Sequence, residues 1–304
     1  MSKKRQTLEK ISTILLWALI ALYFVSTIVF ASDPLAATGI LQLTGILCLI
    51  LHGTIRYGWK GTLAFVIIAY VVSTIFEDLS IHTGFPFGNY HYDIPVPDGS
   101  RPMRFIDQVP VVVGPIYIAV GYLSWTIGSL ILNHADRHLD EKINIFLLPI
   151  VSAFVMVQFD LVQDPSTSTF QGFWIWEDGG GFVGVPLVNF LGWYFTCYLF
   201  MQIFTIFLAR NQKLVKTSGL VNKKSFWMQP VIIYLLVAFS YITQYIYNIN
   251  NNTEIIDMAG NVWTVSNLYE TAVTVMLFTM LYSVVLATIS LYKDVNGDLK
   301  PVQI

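Results

Sequence analysis

The sequence contains few charged residues for its length. Asp, Glu, Lys and Arg make up 12% of the 304 residues, compared with roughly 25% in soluble domains. Hydrophobic residues reach 55%, and the mean hydropathy is +0.62, so the chain has more apolar side chains than one water-bathed core can bury. These values exclude an ordinary soluble protein and predict a polytopic membrane protein.

Several kinds of functional site also lack their sequence signatures. The net charge is −2 and the basic residues are scattered, which argues against a nucleic-acid partner. The two cysteines, Cys48 and Cys197, fall within apolar runs and therefore indicate packing, not a disulfide framework or a metal site. His82 and His91 have no third His or Cys near them, and no phosphate loop or catalytic triad order is present. The sequence predicts neither a metal nor a cofactor.

Long apolar runs are what the chain does contain. A helix needs about 20 mostly apolar residues to cross the hydrocarbon of a bilayer, because all its backbone polar groups must be satisfied within the segment. Eight runs come close to this length. They cover residues 11–30, 35–51, 61–76, 109–132, 143–159, 185–208, 227–247 and 269–292.

The positions of the basic residues support eight spans. If the N-terminus is cytoplasmic, every Lys and Arg except Arg101 and Arg104 falls on the cytoplasmic side, as the positive-inside rule requires. We therefore predict an all-α, polytopic helical bundle with both termini in the cytoplasm, located as a multi-pass protein in the cell membrane. Residues 1–304 form a single transmembrane domain. The non-cytoplasmic loops 77–108 and 160–184 are predicted to cap the active site.

Carboxyl side chains follow two of the predicted helices on the non-cytoplasmic side. Asp160 is expected on the last helical turn, and Asp164 just beyond it, because a residue before proline is biased out of the helical conformation. An acid at a helix C-terminus opposes the helix dipole, and Glu77 repeats this placement. A helix end in contact with water is one interpretation. The other is a functional site, because carboxyls near membrane depth usually face a cavity or a partner.

Aromatic residues are dense in the same two stretches. Trp174, Trp176, Trp193 and Tyr90 belong to this group, and glycines lie between them. Tryptophan and tyrosine often form a belt at the membrane interface. A group interleaved with glycine also suits a flat hydrophobic ligand, or a carbocation that rests on aromatic faces. Both interpretations stay open.

These motifs resemble the integral-membrane carotenoid 1,2-hydratase family. An acid precedes a Gly-x-Pro-Phe-Gly-x-Tyr segment, and an Asp-x-x-x-Asp-Pro turn is followed by a Trp-x-Trp-Glu group and a Gly-Val-Pro-x-x-Asn-Phe-x-Gly-Trp helix start. The matching residues are Glu77, Gly84 to Tyr90, Asp160, Asp164, Pro165, Trp174, Trp176, Glu177 and Gly184 to Trp193. The resemblance covers about the middle half of the chain. The extra acid Asp78 and the insert 94–107 depart from it.

The resemblance implies a hydro-lyase that needs no cofactor. Such an enzyme adds water across the terminal carbon-1,2 double bond at an acyclic carotenoid end. Its partners are a carotenoid within the bilayer, water, and other enzymes of the carotenoid pathway. An acid must protonate carbon-2 and leave a tertiary cation at carbon-1 for water to capture, so we predict a buried carboxyl group that keeps its proton.

Roles for individual residues follow from residue type and predicted depth. Asp160 and Glu77 are the candidate acids, while Asp164, Glu177 and Asn189 are candidates for positioning water. The candidate contacts to the substrate and its cation are Trp174, Trp176, Trp193, Asn189, Phe87 and Tyr90.

Three other functions fit parts of the pattern. A carotenoid end-group cyclase uses the same protonation but captures the cation with a neighbouring double bond. A membrane prenyltransferase needs acids for magnesium and basic residues for a diphosphate, and only Arg101 and Arg104 lie on the correct side. A non-catalytic lipid-binding or transport protein would place charged groups near the middle of the bilayer.

Overall fold

A computed structural model describes residues 3–93 and 105–293 of the chain. The described residues form an all-α bundle, as predicted. The α-helices are α1 Lys3–Val29, α2 Pro34–Cys48, α3 Thr54–Thr83, α4 Val113–Ile131, α5 Lys142–Asp164, α6 Leu187–Arg210, α7 Lys224–Asn248, α8 Val265–Phe278 and α9 Met280–Tyr292. Two π-helical segments, Leu49–Gly53 and Pro165–Phe170, continue α2 and α5.

Short strands lie outside the bundle in three antiparallel pairs. Strands β1 and β4 pair with each other, as do β2 with β3 and β5 with β6. Their bounds are β1 Tyr90–Tyr92, β2 Phe105–Ile106, β3 Val109–Pro110, β4 Trp174–Trp176, β5 Glu254–Ile256 and β6 Val262–Thr264. Only the β1–β4 pair joins the two stretches that carry the sequence motifs.

Seven helical stretches among the described residues are long and apolar enough to cross a membrane. One of them, Leu35–Thr83, has 49 residues and bends at Gly58, whose φ of 70° and ψ of 169° are not helical. Glycine adopts positive φ without the steric cost that a Cβ imposes. This stretch contains the predicted second and third spans, which are therefore joined by helical residues with one bend at Gly58 and not by a loop.

The chain reverses its direction at Gly58. On α2, Gln42 bonds to Val112 and Arg56, near the start of α3, bonds to Thr126, so this part runs parallel to α4. Beyond Gly58, Phe65 packs on Tyr122 and Glu77 bonds to Tyr117, so the remainder of α3 runs antiparallel to α4. The stretch thus forms two antiparallel helical segments and counts as two spans, which agrees with the eight predicted spans. The cytoplasmic position of the termini stays a prediction, and residues 294–304 lie outside the described part of the chain.

Two helices extend further than predicted. Helix α3 continues to Thr83 and α5 continues to Asp164, although the apolar runs end near residues 76 and 159. The prediction that Asp164 lies beyond the helix is wrong: its φ of −56° and ψ of −47° are helical. Pro165 does not end the helix, because the chain widens there into a π-helical segment in which Ser166 and Thr167 donate hydrogen bonds to the Gln163 carbonyl.

Helix α4 lies at the centre of the bundle. Almost all of its residues are buried, and it packs against α2, α3, α5, α7 and α9. The surrounding helices expose large apolar side chains such as Leu22, Leu63 and Phe154. Apolar surface of this kind is stable in lipid. Cys48 and Cys197 are free and fully buried, in agreement with a packing role.

A buried ion pair lies at the end of α4 that the topology assigns to the cytoplasm. Arg56 is 3.0 Å from a carboxylate oxygen of Asp136, which also accepts hydrogen bonds from Tyr57 and Ser129. Burial opposes ionisation of Asp136, but the Arg56 guanidinium and the Ser129 hydroxyl lower the pKa of Asp136 to about 2. Asp136 therefore carries a charge that its neighbours neutralise.

Candidate active site

A cavity of about 390 Å³ lies at the opposite end of the bundle. It is formed where α3 and α5 end and where α2, α4 and α6 begin. Its volume lies within the range of small-molecule sites. The residues that line it are Leu35, Thr38, Gly39, Gln42, Glu77, Phe87, Tyr90, Tyr92, Pro110, Val112, Val113, Ile116, Phe159, Asp160, Gln163, Asp164, Thr167, Phe173, Trp174, Trp176, Asn189 and Trp193.

Two of the buried carboxyls share one amide. Asn189, near the start of α6, donates from its side-chain nitrogen to Asp160 Oδ2 at 3.0 Å and to Asp164 Oδ2 at 2.6 Å. Asp160 and Asp164 are 3% and 1% exposed, so both point into the protein and not into water. Because the residues are four apart on a continuous helix, they lie on the same face of α5.

Asp164 also receives two indole donors. Trp174 Nε1 and Trp176 Nε1 lie 2.9 Å and 3.3 Å from Asp164 Oδ1. With the Asn189 amide, three N–H groups point at this carboxylate. Asp160, by contrast, accepts a side-chain hydrogen bond only from Asn189 among the described residues. The two carboxyls therefore differ strongly in how well their charged forms are stabilised.

Three tyrosine hydroxyls surround Glu77. Tyr117 donates to Glu77 Oε1 at 2.7 Å, while Tyr92, at 3.1 Å, and Tyr90 donate to Glu77 Oε2. Burial and the neighbouring Glu77 raise the pKa of Tyr90 and Tyr92 well above the usual value for tyrosine. Both hydroxyls therefore stay protonated at neutral pH and act as donors to Glu77, which is itself 5% exposed.

The β1–β4 pair holds four aromatic side chains over the cavity. Tyr90 is opposite Trp176 and Tyr92 is opposite Trp174 in the antiparallel register. Side chains alternate between the two faces of a strand, so these four rings share the face toward the carboxyls. The Tyr90 and Trp176 ring centres are 5.0 Å apart. Trp193 contributes a further ring from α6 and stacks on Tyr117 at 4.5 Å.

The cavity has acids but no basic residue among the described residues that line it. No ion pair forms to Glu77, Asp160 or Asp164 in the described ranges 3–93 and 105–293. A buried carboxyl without a cationic partner favours its neutral form unless several hydrogen-bond donors stabilise its charge. Arg101 and Arg104, the two predicted basic residues of this side, lie outside the described residues, as does most of the insert 94–107.

A different group could hold a metal ion. Asp78, His82 and Asp107 bring their ligand atoms within 4.8 Å of one another. They are at least partly exposed and lie outside the cavity lining. The prediction from the sequence concerned only a third His or Cys near His82, whereas this group combines His82 with two carboxylates, of which Asp107 comes from a different segment.

Nine of the ten candidate residues from the sequence line one cavity. They are Glu77, Phe87, Tyr90, Asp160, Asp164, Trp174, Trp176, Asn189 and Trp193. Glu177 does not line it: its side chain is 54% exposed, and its carboxylate lies 3.1 Å from His91 Nδ1 on the outer face of the β1–β4 pair. Alternation along β4 turns Glu177 away from the face that carries Trp176.

Other residues at the cavity had no signal in the sequence. Tyr117, which donates to Glu77, lies in the apolar helix α4, where a single tyrosine is compatible with a packing role. Thr38, Gly39 and Gln42 come from α2, and Gln163 lies between the two aspartates of α5. The one sequence feature that pointed to Gln163 was its position between Asp160 and Asp164, because a residue there lies near the same end of α5.

Comparison with protein families yields one match. Residues 37–256 match the family described as carotenoid biosynthesis protein, and this range contains the three carboxyls and every cavity residue except Leu35. Curated proteins and solved structures gave no match. Because the match covers more than half of the sequence, this membrane protein belongs to the carotenoid biosynthesis protein family.

Proposed function

We propose that this protein is a carotenoid 1,2-hydratase, which adds water across the terminal double bond of an acyclic carotenoid end. One observation carries the proposal: buried carboxyls that have no basic partner among the described residues lie in an apolar, aromatic-lined cavity. A hydrocarbon substrate offers no polar group to bind, so the cavity must hold it by apolar contact. The reaction then requires a proton donor and a means of stabilising positive charge.

Asp160 is the group best suited to donate the proton. Among the described residues, Asp160 has one side-chain hydrogen-bond donor, whereas Asp164 and Glu77 each have three. Donors stabilise a carboxylate and disfavour its protonated form, so Asp160 is the carboxyl with the least support for its charge. Its proton passes to carbon-2, the alkene electron pair forms the new C–H bond, and carbon-1 becomes a tertiary cation.

The remaining groups stabilise the cation and complete the addition. Glu77 and Asp164 supply negative charge, and the indole and phenol faces add cation–π attraction. A water oxygen then attacks carbon-1, and one of its protons passes to the Asp160 carboxylate. The enzyme returns to its starting protonation state, and the product is a tertiary alcohol. No electrons are exchanged with a cofactor in this sequence of steps.

A second cavity next to the first supports capture of the cation by water. It has a volume of about 40 Å³, and a site for one water needs about 10–15 Å³. Thr38, Gln163 and Thr167 line both cavities. Its other polar side chains include Ser26, Thr27, Ser166, Gln171, Ser240 and Gln244. This polar lining favours a hydratase over a cyclase, which must keep water away from the cation.

Gln163 is the candidate to pass water between the two cavities. Its Oε1 atom is buried and has no hydrogen-bond partner among the described residues. We predict that Gln163→Leu lowers the yield of hydrated carotenoid roughly fivefold to tenfold, because one lost hydrogen bond is worth about 1 kcal/mol. Unhydrated isomers with the mass of the substrate should rise. Chromatography of extracted pigments with mass detection measures both.

Gln158→Leu is the matched control for Gln163→Leu. Gln158 lies on the same helix, bonds to Ser283, and lines neither cavity, so its product ratio should not change. Equal product ratios in the two variants would show that Gln163 does not supply water.

A prenyltransferase and a transporter would need other structural features than a hydratase. A prenyltransferase must neutralise a diphosphate, and no basic residue is present among the described lining residues. A transporter needs a path across the bilayer, while the carboxyls gather at one end of the bundle.

Expression in a lycopene-producing bacterium tests the proposed function. We expect a new pigment that is heavier by one water, with its oxygen derived from the solvent when the cells grow in water enriched in heavy oxygen. A new pigment of unchanged mass would indicate a cyclase. Unchanged pigment, with the protein present in the membrane, would contradict a hydratase acting on this substrate.

A further inference from the structure

The cavity reaches the surface of the bundle between α2 and α4. Leu35, Gly39 and Val112 line the cavity and are also exposed, Leu35 to 47% and Val112 to 39%. A residue that both lines a cavity and is exposed marks where the cavity opens. This opening lies in the wall of the bundle and not above the β1–β4 pair.

The contacts between α2 and α4 limit the opening on its inner side. Gly45 packs directly against Ala119, with no space for a side chain between the helices. Nearer the mouth, Gln42 Nε2 donates to the Val112 carbonyl at 3.1 Å. Gly39, one helical turn before, has no atom within 4 Å of the position that a Cβ would take. Helices α2 and α4 are thus in contact on the inner side of the opening, and Gly39 has no side chain that could fill the opening.

The mouth faces lipid and not water. Its residues belong to or directly adjoin segments that are long and apolar enough to cross a membrane, and none of the described ones is charged. Asp33, which caps the start of α2, lies on the polar side of Leu35. The mouth is therefore placed just within the apolar layer.

The volume of the cavity sets how a long substrate can bind. At about 390 Å³, it matches sites for drug-sized ligands. A carotenoid has a length comparable with the hydrocarbon thickness of a bilayer, about 30 Å, and cannot be enclosed. Only one end can reach Asp160, and the rest of the polyene must leave through the mouth.

We propose that the gap between Gly39 of α2 and Val112, which directly precedes α4, is a lateral portal through which one acyclic end of a long polyene enters from the bilayer. The proposal rests on the proposed function for the identity of the substrate. It assigns the substrate class as linear isoprenoid chains with a slim terminus, held end-first, while the remainder of the chain stays in lipid. The two ends of a symmetrical substrate must then react in separate binding events.

A bulky residue at the mouth tests the portal. Gly39→Trp should lower hydrated product from lycopene at least tenfold, because a Cβ at this position meets no atom within 4 Å and the indole can then occupy the opening. Leu43→Trp is the matched control: Leu43 lies four residues further on α2, is 59% exposed and does not line the cavity. Its activity should be unchanged. Full activity of Gly39→Trp, with equal amounts of protein in the membrane, would overturn the portal.

Photo-crosslinking tests the portal without any need for turnover. A diazirine-bearing amino acid is placed at position 39 or at position 43 in protein that also carries Asp160→Asn. Lycopene should crosslink several-fold more at position 39, because bound polyene passes that residue, whereas position 43 meets only bulk lipid. Equal crosslinking at the two positions would overturn the proposal.

The two measurements separate the portal from the proposed function. Selective crosslinking at position 39, together with no hydrated product from the unmodified protein, would support the portal and contradict a hydratase. Hydrated product together with equal crosslinking and an active Gly39→Trp variant would contradict the portal alone.

Discussion

Asp160→Asn is expected to abolish formation of hydrated carotenoid while the protein still accumulates in the membrane. Asparagine has the size of aspartate but carries no acidic proton, so carbon-2 cannot be protonated. A positioned general acid contributes roughly 100-fold to 10,000-fold to a rate, and the product should fall by at least the lower figure. Pigment extracted from cells that make lycopene, normalised to the amount of protein in the membrane, measures the effect.

The contacts of Asp160 make this test specific. Its one side-chain donor among the described residues is the Asn189 amide, and an asparagine oxygen can accept the same bond. The substitution should therefore leave the fold of α5 and α6 intact. Asp78→Asn is the control, because Asp78 is 38% exposed and does not line the cavity. Substantial hydration by Asp160→Asn would mean that another carboxyl is the acid.

The buried acids at the two ends of the bundle have different partners. Asp136 is paired with Arg56 at 3.0 Å, which neutralises a charge that is costly to bury. Glu77, Asp160 and Asp164 have only neutral donors in the described part of the chain. An acid that only stabilised the fold would gain from a basic partner. The three carboxyls have no basic partner among the described residues. A carboxyl that donates a proton must be able to exist in its neutral form, which a basic partner would disfavour.

The sequence predicted the carboxyl and indole groups because they lie close together along the chain. Asp160, Asp164, Trp174 and Trp176 are joined by one π-helical segment and a short connection, so few conformations could separate them. Glu177, which is adjacent to Trp176, does not line the cavity, and its role in positioning water stays a prediction. The alternation of side chains along a strand already placed Glu177 on the other face.

The parts of the cavity contributed by apolar helices could not be predicted. Gly39 and Gln42 occur in runs where each position is compatible with packing or with lipid, and so does Tyr117, which contacts Glu77 beside the cavity. Which face lines a cavity depends on how α2 and α4 pack against each other, and close contacts such as Gly45 on Ala119 decide that. The reversal at Gly58 was predicted as a loop, because hydropathy locates the ends of spans but not the conformation of the residue between them.

Glu77→Gln is expected to reduce hydration by roughly 100-fold to 1,000-fold, the range observed when one preorganised electrostatic contact to a transition state is removed. Tyr90, Tyr92 and Tyr117 hold the Glu77 carboxylate beside the cavity, and in the proposed mechanism that charge stabilises the cation. Tyrosine hydroxyls both donate and accept hydrogen bonds, so they can accommodate the glutamine amide without a change in fold.

The crosslinking assay separates loss of charge from loss of structure in Glu77→Gln. If Glu77 acts on the cation, lycopene still enters, and a diazirine at position 39 crosslinks it as in the unmodified protein while hydrated product is lost. Asp78→Asn, which removes the adjacent carboxylate outside the cavity, should retain both crosslinking and product. Loss of crosslinking and product together in Glu77→Gln would assign the tyrosine cluster a structural role in holding β1 over the cavity. Full activity would exclude Glu77 from the reaction, and the cation would then rely on Asp164 and the aromatic faces.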